Sequence, residues 1–488
     1  MAEPETPNWV RDAIFYQIFP DRFARSRTLL KPRHLQPWGS PPTVHGYQGG
    51  DLVGVIERLD YLTDLGINAI CFTPIFQSAS NHRYHTHDYE KVDPMLGGNS
   101  ALRRLLDAAH ARGIRIVLDG VFNHASRGFF QFHDLMENGP DSAYLDWFHV
   151  HSFPLNAYER QGQPNYAAWW GLPALPKFNT NCPEVREFLW GIGTHWIAQG
   201  IDGWRLDVPS EIDDDDFWRE FRRRVKSANP DAYIVGEVWG DAARWLQGDM
   251  WDAVMNYQWT RACIAFFIGN RLAEAELRRT SLHPAGPPGA EAFRAALERL
   301  HALYPASVSA VMLNLLGSHD IARFLTLARG DRSALRMAVL FQMTYTGAPS
   351  IYYGDEIGLQ GGHDPANRGA FPWDHPDTWD QELLAEYRRL IALRRQRRSL
   401  RHGSYHIVHA RGEQFVHARQ LGEDLVVAAF NAAAQPMLLD FELGGIVADG
   451  TILEHLTTRQ PIRVEQGWVR RLELPARAGM VLATPLRP

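Results

Sequence analysis

Short apolar runs alternate with segments of helical spacing along most of the chain. The runs predict eight strands, at 13–18, 67–72, 114–118, 201–206, 233–235, 253–256, 308–315 and 351–353. The intervening segments predict helices at 52–65, 102–111, 184–199, 215–228, 290–303 and 333–344. Strands that are apolar throughout are typical of parallel sheets covered by helices on their faces. The pattern therefore predicts an α/β fold, a (β/α)8 TIM barrel.

Two stretches depart from this alternation. From His124 to Phe178 the sequence is rich in aromatic residues, Asn, Gly and Pro and has no sustained period, which predicts a subdomain inserted after the third strand. Beyond residue 400, strand-like runs separated by Gly and Asn predict a C-terminal antiparallel β-sandwich. The predicted domains are the barrel (1–123 and 179–402), the inserted subdomain (124–178) and the C-terminal domain (403–488).

Composition excludes some classes of function. A hydrophobic content of 45% and a charged content of 22% are ordinary for a globular protein. The net charge of −6 gives no general attraction to nucleic acid or to an anionic membrane. No apolar run approaches the roughly 20 residues that a membrane-spanning helix requires. The one dense basic stretch, from Arg394 to Arg398, is predicted to be the solvated face of a helix.

The cysteines and the N-terminus indicate a compartment. Three widely spaced cysteines, an odd number, argue against a disulfide framework and suit a reducing environment. The first seven residues are acidic and proline-rich, without the basic flank and apolar core of a secretory signal. These features predict a cytoplasmic protein.

Carboxylates stand where four of the predicted strands end. Active sites of such barrels lie at the C-terminal ends of the strands, which brings Asp119, Asp207, Glu237 and Asp320 to one rim. Glycoside hydrolysis with retention requires a carboxylate nucleophile and a carboxylic proton donor. A third acid can stabilise the positive charge of the transition state. The set therefore predicts a sugar-cleaving site.

Neighbouring residues refine these expectations. Arg205 lies two positions before Asp207 on the same face of the strand and is expected to keep that carboxylate ionised. Glu237 follows a wholly apolar run and is flanked by Val238 and Trp239, a setting that favours the raised pKa of a proton donor.

Each of these residues also has a structural interpretation. Any one acid alone could be a helix N-cap, a buried ion-pair member or a loop anion. His82, His85 and His87 could suggest a metal site, but they lack a regular ligand spacing and are expected to face solvent or substrate. We predict no metal and no cofactor.

Five motifs follow one another along the chain: DGVFNH at 119–124, LPKFN at 175–179, GWRLD at 203–207, GEVW at 236–239 and LGSHD at 316–320. In this order they resemble the motifs of the α-amylase family. The similarity is closest to its neopullulanase, cyclomaltodextrinase and maltogenic amylase branch, and runs from about Ile14 to Asp374.

The resemblance implies a role for each motif residue. Asp207 would be the nucleophile, Glu237 the general acid/base and Asp320 the transition-state stabiliser. The residues implied to bind the sugar that is cleaved are Arg205, His124, His319 and Tyr84, the last by stacking. Asp364 and Arg368 would hold the next glucose toward the non-reducing end, and Trp239 would face the leaving group.

The chain departs from the branch in three places. The branch usually carries an N-terminal β-domain, whereas the barrel here starts almost at once. The loop 24–31 is basic and apolar where relatives place calcium ligands, so no calcium site is predicted there. Pro209 and Ser210 follow the nucleophile where relatives often have Ala and Asn, which predicts a change near the acceptor subsites.

The resemblance implies a retaining hydrolase of α-1,4 bonds in maltodextrins, cyclodextrins or pullulan-type substrates. Activity on α-1,6 bonds and transglycosylation are further possibilities. Within the same class, the alternatives are a 4-α-glucanotransferase and a sucrose- or trehalose-active enzyme. From another class, the alternative is a non-catalytic glucan-binding protein. The expected partner is an α-glucan oligosaccharide, and both a monomer and a homodimer stay open.

Overall fold

A parallel barrel forms the body of the protein. A computed structural model describes residues 3–159, 162–279 and 282–486. The barrel strands are β1 (Phe15–Ile18), β2 (Ala69–Phe72), β3 (Arg115–Gly120), β4 (Gly203–Leu206), β5 (Tyr233–Gly236), β6 (Ala253–Val254), β7 (Leu313–Leu315) and β8 (Ala348–Tyr352). They pair in parallel in the order β6-β5-β4-β3-β2-β1-β8-β7, and a bridge from Met255 to Leu313 closes the ring. The predicted barrel is confirmed.

Helices cover the outer face of the barrel. Along β4, Trp204 points outward and its indole N–H donates to the Gly193 carbonyl of a covering helix, while Arg205 points into the barrel mouth. Both faces of the strands are therefore buried, which explains their continuous apolar sequences. The larger helices are Leu52–Glu57, Leu59–Leu65, Gly98–His110, Phe130–Asn138, Pro183–Ala198, Asp215–Ala228, Tyr257–Cys263, Ala290–Leu303, Arg332–Thr344, Gln381–Gln396 and Arg398–His402.

Several predicted elements shift by a few residues at their ends, and three differ more than this. The helix expected at 52–65 is broken at Arg58 into two helices. The strand expected at 308–315 is wrong in its first half, where Ala306–Ser309 is a helical turn. Val308 lies in this turn and is buried there. A buried apolar residue occurs in helical turns as well as in strands, so the apolar pattern alone did not distinguish the two. The strand expected at 253–256 has two residues, because the Asn256 side chain caps the next helix.

The basic stretch from Arg394 is not uniformly solvated, so this prediction is wrong for two of its arginines. Arg394 and Arg397 are buried. Arg394 donates to the carbonyls of Met343, Tyr345 and Gly347 at 3.0, 2.9 and 2.5 Å. These carbonyls lie at and just beyond the C-terminus of helix Arg332–Thr344, where unpaired acceptors favour a cation.

The C-terminal region forms the predicted antiparallel sandwich. Its strands are β9 (Ser404–Arg411), β10 (Gln414–Leu421), β11 (Asp424–Asn431), β12 (Met437–Glu442), β13 (Ile452–His455), β14 (Pro461–Arg463), β15 (Trp468–Leu474) and β16 (Ala478–Ala483). The sheet β9-β10-β11-β16-β13-β14 packs on the pair β12-β15 through an apolar core that includes Val427 and Leu439. The division into the barrel (1–123 and 179–402), the inserted subdomain (124–178) and the C-terminal domain (403–488) stays a prediction.

Within the ranges that the structure describes, no helix combines the length and the apolar character needed to cross a membrane.

A buried carboxyl group lies beyond the end of β8. Glu356 is fully buried, and its Oε1 accepts hydrogen bonds from the hydroxyls of Tyr16 and Tyr61 at 2.8 and 2.6 Å. Burial raises the pKa of Glu356 from 4.5 to about 7, because the charged form loses its hydration. The folded protein therefore holds this proton more tightly than the unfolded chain. The protonated Glu356 therefore adds to the free energy of unfolding. This contribution is complete below about pH 4.5 and is lost as the pH rises through about 7.

Replacing Glu356 with Gln should remove this pH dependence. We expect the fall in urea-unfolding free energy between about pH 6 and pH 8 to shrink by on the order of 1 kcal/mol, since the amide does not ionise. The exposed Glu382 provides the control, and Glu382→Gln should leave the pH profile unchanged. Identical profiles for wild type and Glu356→Gln would contradict the assignment.

Candidate active site

The predicted acids meet at the C-terminal rim of the barrel. Asp119 is the penultimate residue of β3, and Asp207 and Glu237 directly follow β4 and β5. The backbone N–H groups of Asp207 and Glu237 continue the strand pairing, donating to Gly120 and Leu206 at 3.0 and 2.9 Å. The parallel ladder therefore fixes the positions of these side chains relative to one another.

One guanidinium joins the acids. Arg205 Nη1 is 2.8 Å from Asp119 Oδ1 and 3.0 Å from Asp207 Oδ1. Its Nη2 is 2.9 Å from Glu237 Oε2 and 4.0 Å from Asp320 Oδ2. The Arg205 side chain is only 1% exposed. Four carboxyl groups from four strands thus surround one buried cation.

The charge balance of this cluster favours retention of protons. Burial raises the pKa of Asp119 to about 6 and that of Asp320 to about 7, although Arg205 opposes both shifts. Burial also raises the pKa of Asp207 well above its ordinary value; Arg205 opposes this, and Glu237 adds to it. Burial and three neighbouring acids outweigh the predicted lowering effect of Arg205, so the pKa of Asp207 is raised overall. The protons belong to the coupled group rather than to single residues.

The surroundings of Glu237 differ from the apolar setting that was predicted. Besides Arg205, the Trp239 indole N–H donates to Glu237 Oε1 at 3.0 Å, and the Val208 amide donates to Oε2 at 3.2 Å. Both carboxyl oxygens are thus held by the protein. The difference arises because Arg205 comes from the neighbouring strand, which local sequence around Glu237 does not reveal.

Tyr257 supports this arrangement and was missed by the sequence analysis. Its ring stacks on Trp239 with centroids 4.1 Å apart, and its hydroxyl is 3.1 Å from Ser318 Oγ. Ser318 Oγ in turn accepts from the Asp320 amide at 3.2 Å. The one signal in the sequence that could have identified Tyr257 is its position just after β6, at the C-terminal rim of the barrel.

Val208 has an unusual backbone conformation beside Asp207. Its φ and ψ are 36° and 49°, in the left-handed region that β-branched residues rarely adopt. Such conformations cost roughly 1–3 kcal/mol and concentrate at functional sites. The conformation aims the Val208 N–H at Glu237, and Pro209 follows in a short 3₁₀ turn.

Tyr84 and His319 form a pair beside Arg205, whose Nη1 is 3.4 Å from the Tyr84 hydroxyl. Their rings are parallel, with centroids 5.4 Å apart and an interplanar angle of 9°. The Tyr84 hydroxyl donates to Asp119 Oδ2 at 2.9 Å and also contacts His319 Nε2, which is 3.2 Å from Asp320 Oδ1. Burial, with Arg205 nearby, lowers the pKa of His319 well below 6.5, so this imidazole is neutral near pH 7.

His124 is a second neutral, buried imidazole. Burial lowers its pKa to about 3. The Asn123 side chain contacts its Nδ1 at 3.2 Å, while Nε2 has no hydrogen-bond partner within the described part of the chain. The ring stacks on Trp169 from the inserted segment, with centroids 5.2 Å apart. His124 therefore has a polar atom free to bind a hydroxyl group.

The remaining predicted residues lie beside Asp320. Arg368 pairs with Asp364 at 2.9 Å, donates from Nε to the His319 carbonyl at 2.9 Å, and lies 3.9 Å from Asp320 Oδ1. The structure thus brings all ten predicted site residues to the barrel mouth. Nine are linked by the side-chain contacts above, and the tenth, His124, interacts with the Tyr84 backbone. That residue follows β3 there.

Among the described residues, no group of three or more His, Cys, Asp and Glu is arranged to hold a metal ion. In the loop where calcium was considered, the Lys31 ammonium lies 3.0 Å from the buried Asp51 carboxylate.

A parallel barrel whose rim gathers several carboxyl groups has the acids that a barrel glycoside hydrolase needs at the place where such barrels have their active sites. The family model of the α-amylase catalytic domain matches residues 17–403, and the chain belongs to this family of glycoside hydrolases.

Known proteins match most of the chain. It is 47% identical over 431 residues to a cyclomaltodextrinase of a Bacillus species, covering 88% of this chain and 74% of that protein. Over 99% of this chain and all of the other, it is 47% identical to the debranching enzyme of Nostoc punctiforme, with a TM-score of 0.91. It is 38% identical to the cyclic α-maltosyl-(1→6)-maltose hydrolase of Arthrobacter globiformis, with 98% of this chain and 100% of that chain covered and a TM-score of 0.86.

Proposed function

We propose that this protein is a retaining α-glucan hydrolase in which Asp207 is the nucleophile, Glu237 the general acid/base and Asp320 the transition-state stabiliser. The observation that carries the proposal is the contact of both Asp207 and Glu237 with the single guanidinium of Arg205. Two carboxyl groups bound to one guanidinium are close together. This contact suits the ~5 Å spacing of a retaining pair, and the anomeric form of the product decides between retention and inversion.

The reaction proceeds by two displacements. Glu237 donates a proton to the glycosidic oxygen while Asp207 attacks the anomeric carbon, so the C–O bond breaks and a glucosyl–Asp207 ester forms. Glu237, now ionised, removes a proton from water, which attacks the same carbon and releases Asp207. A sugar hydroxyl in place of water gives transglycosylation. Only these side chains and water are needed.

The proton balance of the cluster supports these roles. The donor must be protonated and the nucleophile ionised before the first step. Burial and mutual repulsion raise the pKa of the Asp119, Asp207 and Asp320 carboxyls, so the group holds protons near neutral pH. Bound sugar then decides which carboxyl carries the proton, because the glycosidic oxygen accepts a hydrogen bond only from a protonated acid.

The other site residues bind the sugar. We assign Tyr84, His124, Arg205 and His319 to the glucose that is cleaved and Asp364 with Arg368 to the next glucose on the non-reducing side. Trp239 faces the leaving group. The neutral imidazoles of His124 and His319 suit this role because they bind hydroxyls without adding charge.

Maltodextrins and cyclodextrins are the proposed substrates. The support is the similarity to a cyclomaltodextrinase. Activity on α-1,6 bonds is proposed as well, because one structural relative is a hydrolase of cyclic α-maltosyl-(1→6)-maltose. A cytoplasmic location is supported by the free, buried thiols of Cys71, Cys182 and Cys263.

The anomeric form of the first product tests the mechanism. We expect ¹H NMR during hydrolysis of maltoheptaose to show the α-anomer before mutarotation, because two inversions restore the configuration. Asp207→Asn serves as the blank and should release no product above background. An initial β-anomer would overturn the proposal. A parallel panel of β-cyclodextrin, pullulan, starch, maltotriose and sucrose then separates hydrolysis from glucan transfer and from sucrose activity.

A further inference from the structure

Trp170, in the inserted segment, is unusually exposed. Its side chain is 80% exposed, and its backbone is left-handed, with φ 52° and ψ 22°. This exposure leaves most of the apolar indole surface unburied, and a left-handed conformation is unfavourable for a residue with a Cβ. Two unfavourable features therefore coincide at one residue.

The exposed ring belongs to a stack that begins at the active site. Trp169 stacks on His124, with centroids 5.2 Å apart and an angle of 15°. Trp170 in turn stacks on Trp169, with ring centroids 4.4 Å apart and an interplanar angle of 11°. The stack holds the Trp170 ring on one face and, given its exposure, leaves the other face open.

The stack lies across the cleft from the residues assigned to the non-reducing side. His124 follows β3 and bridges to Lys177, whose ammonium is 2.9 Å from Glu211, in the loop after Asp207. Asp364 and Arg368 instead follow β8. In a ring of eight strands, β3 and β4 are opposite β7 and β8. His124, and the stack that starts on it, therefore lie on the side of the barrel mouth opposite Asp364 and Arg368, which is the side proposed to receive the leaving group.

We propose that Trp170 is an aromatic platform that binds a glucose unit of the α-glucan on the reducing-end side, beyond the bond that is cleaved. The inference rests on the proposed function and extends it. A flat indole face suits the apolar C–H face of a pyranose, and burying that face supplies affinity without hydrogen bonds. Continuity of the stack with His124 favours the substrate over a second copy of the chain as the occupant.

Binding to a catalytically silent protein tests the platform. In the Glu237→Gln background, Trp170→Gly should weaken maltoheptaose binding by about fivefold in isothermal titration calorimetry, equivalent to one stacking contact. Maltose is too short to span the bond and the platform together, so its affinity should change by less than about twofold. Glycine adopts left-handed conformations readily, so the variant should fold. Trp170→Phe, which keeps a ring, should restore part of the affinity.

Tyr158 provides a matched control, since it is an exposed aromatic residue of the same segment, at 69%. Tyr158→Ala should leave both affinities unchanged. If Glu237→Gln binds neither sugar, the proposed function fails. If it binds maltoheptaose equally well with and without Trp170, the platform alone fails. A change from dimer to monomer on Trp170→Gly in analytical ultracentrifugation would show that a second copy covers the ring and would also overturn the inference.

Discussion

Glu237→Gln is expected to lower kcat on maltoheptaose by about 10³-fold, because general acid–base catalysis contributes 10²–10⁴-fold. The amide keeps the shape of the side chain, and its single oxygen can accept from Trp239 or from Val208, but it has no acidic proton to give to the glycosidic oxygen. The measurement is steady-state release of reducing sugar, with circular dichroism to verify folding.

A substrate that needs no acid separates the two steps. Fluoride departs without protonation, so Glu237→Gln should still form the glucosyl–Asp207 ester from α-maltosyl fluoride. Hydrolysis of that ester lacks its base, and a burst of about one equivalent of fluoride per enzyme should precede slow turnover. Unchanged activity on maltoheptaose, or the absence of a burst with the fluoride, would contradict the assignment of Glu237.

Arg205→Gln is expected to lower the free energy of unfolding by about 3–5 kcal/mol, the usual effect of removing one partner of a buried ion pair. Arg205 is the cation that the Asp119, Asp207 and Glu237 carboxyls share within 3.0 Å. Without it, the pKa of Asp119 and of Asp207 should rise further and activity should be lost. Urea unfolding at constant pH provides the measurement.

An exposed arginine with a similar set of partners is the control. Arg219 contacts Asp215, Asp216 and Asp249, but its side chain is 46% exposed. Solvent and salt screen such pairs, so Arg219→Gln should change stability little. Equal losses for the two variants would mean that the number of partners, rather than burial, determines the effect.

The sequence predicted the catalytic rim because that rim depends on local features. Each acid directly follows, or closely follows, an apolar strand, and parallel strands in a closed barrel must bring their C-terminal ends together. Asp207, Glu237 and Asp320 could therefore be placed near one another without coordinates. Their roles stay a proposal, which the experiments above test.

Features that depend on partners distant in sequence were predicted poorly. Arg394 was expected in solvent because its neighbours are basic, but its guanidinium binds carbonyls of residues 343–347. Glu237 was expected in an apolar setting because its neighbours in sequence are apolar. The residue that contacts it, Arg205, lies 32 positions earlier, so the local sequence does not reveal this contact. The stack from His124 to Trp170 joins the barrel to the inserted segment. Hydrophobic periodicity describes neighbours along the chain and therefore does not predict such a contact.

The shortness of β6 has a consequence for the leaving-group side. β4 pairs over four residues on each flank, whereas β6 pairs with β5 over two and, among the described residues, meets β7 through the Met255 bridge. The barrel ladder is therefore sparsest beside Glu237, the proposed proton donor, on the side proposed to receive the leaving group. The strand that precedes Asp207, the proposed nucleophile, is paired along its full length.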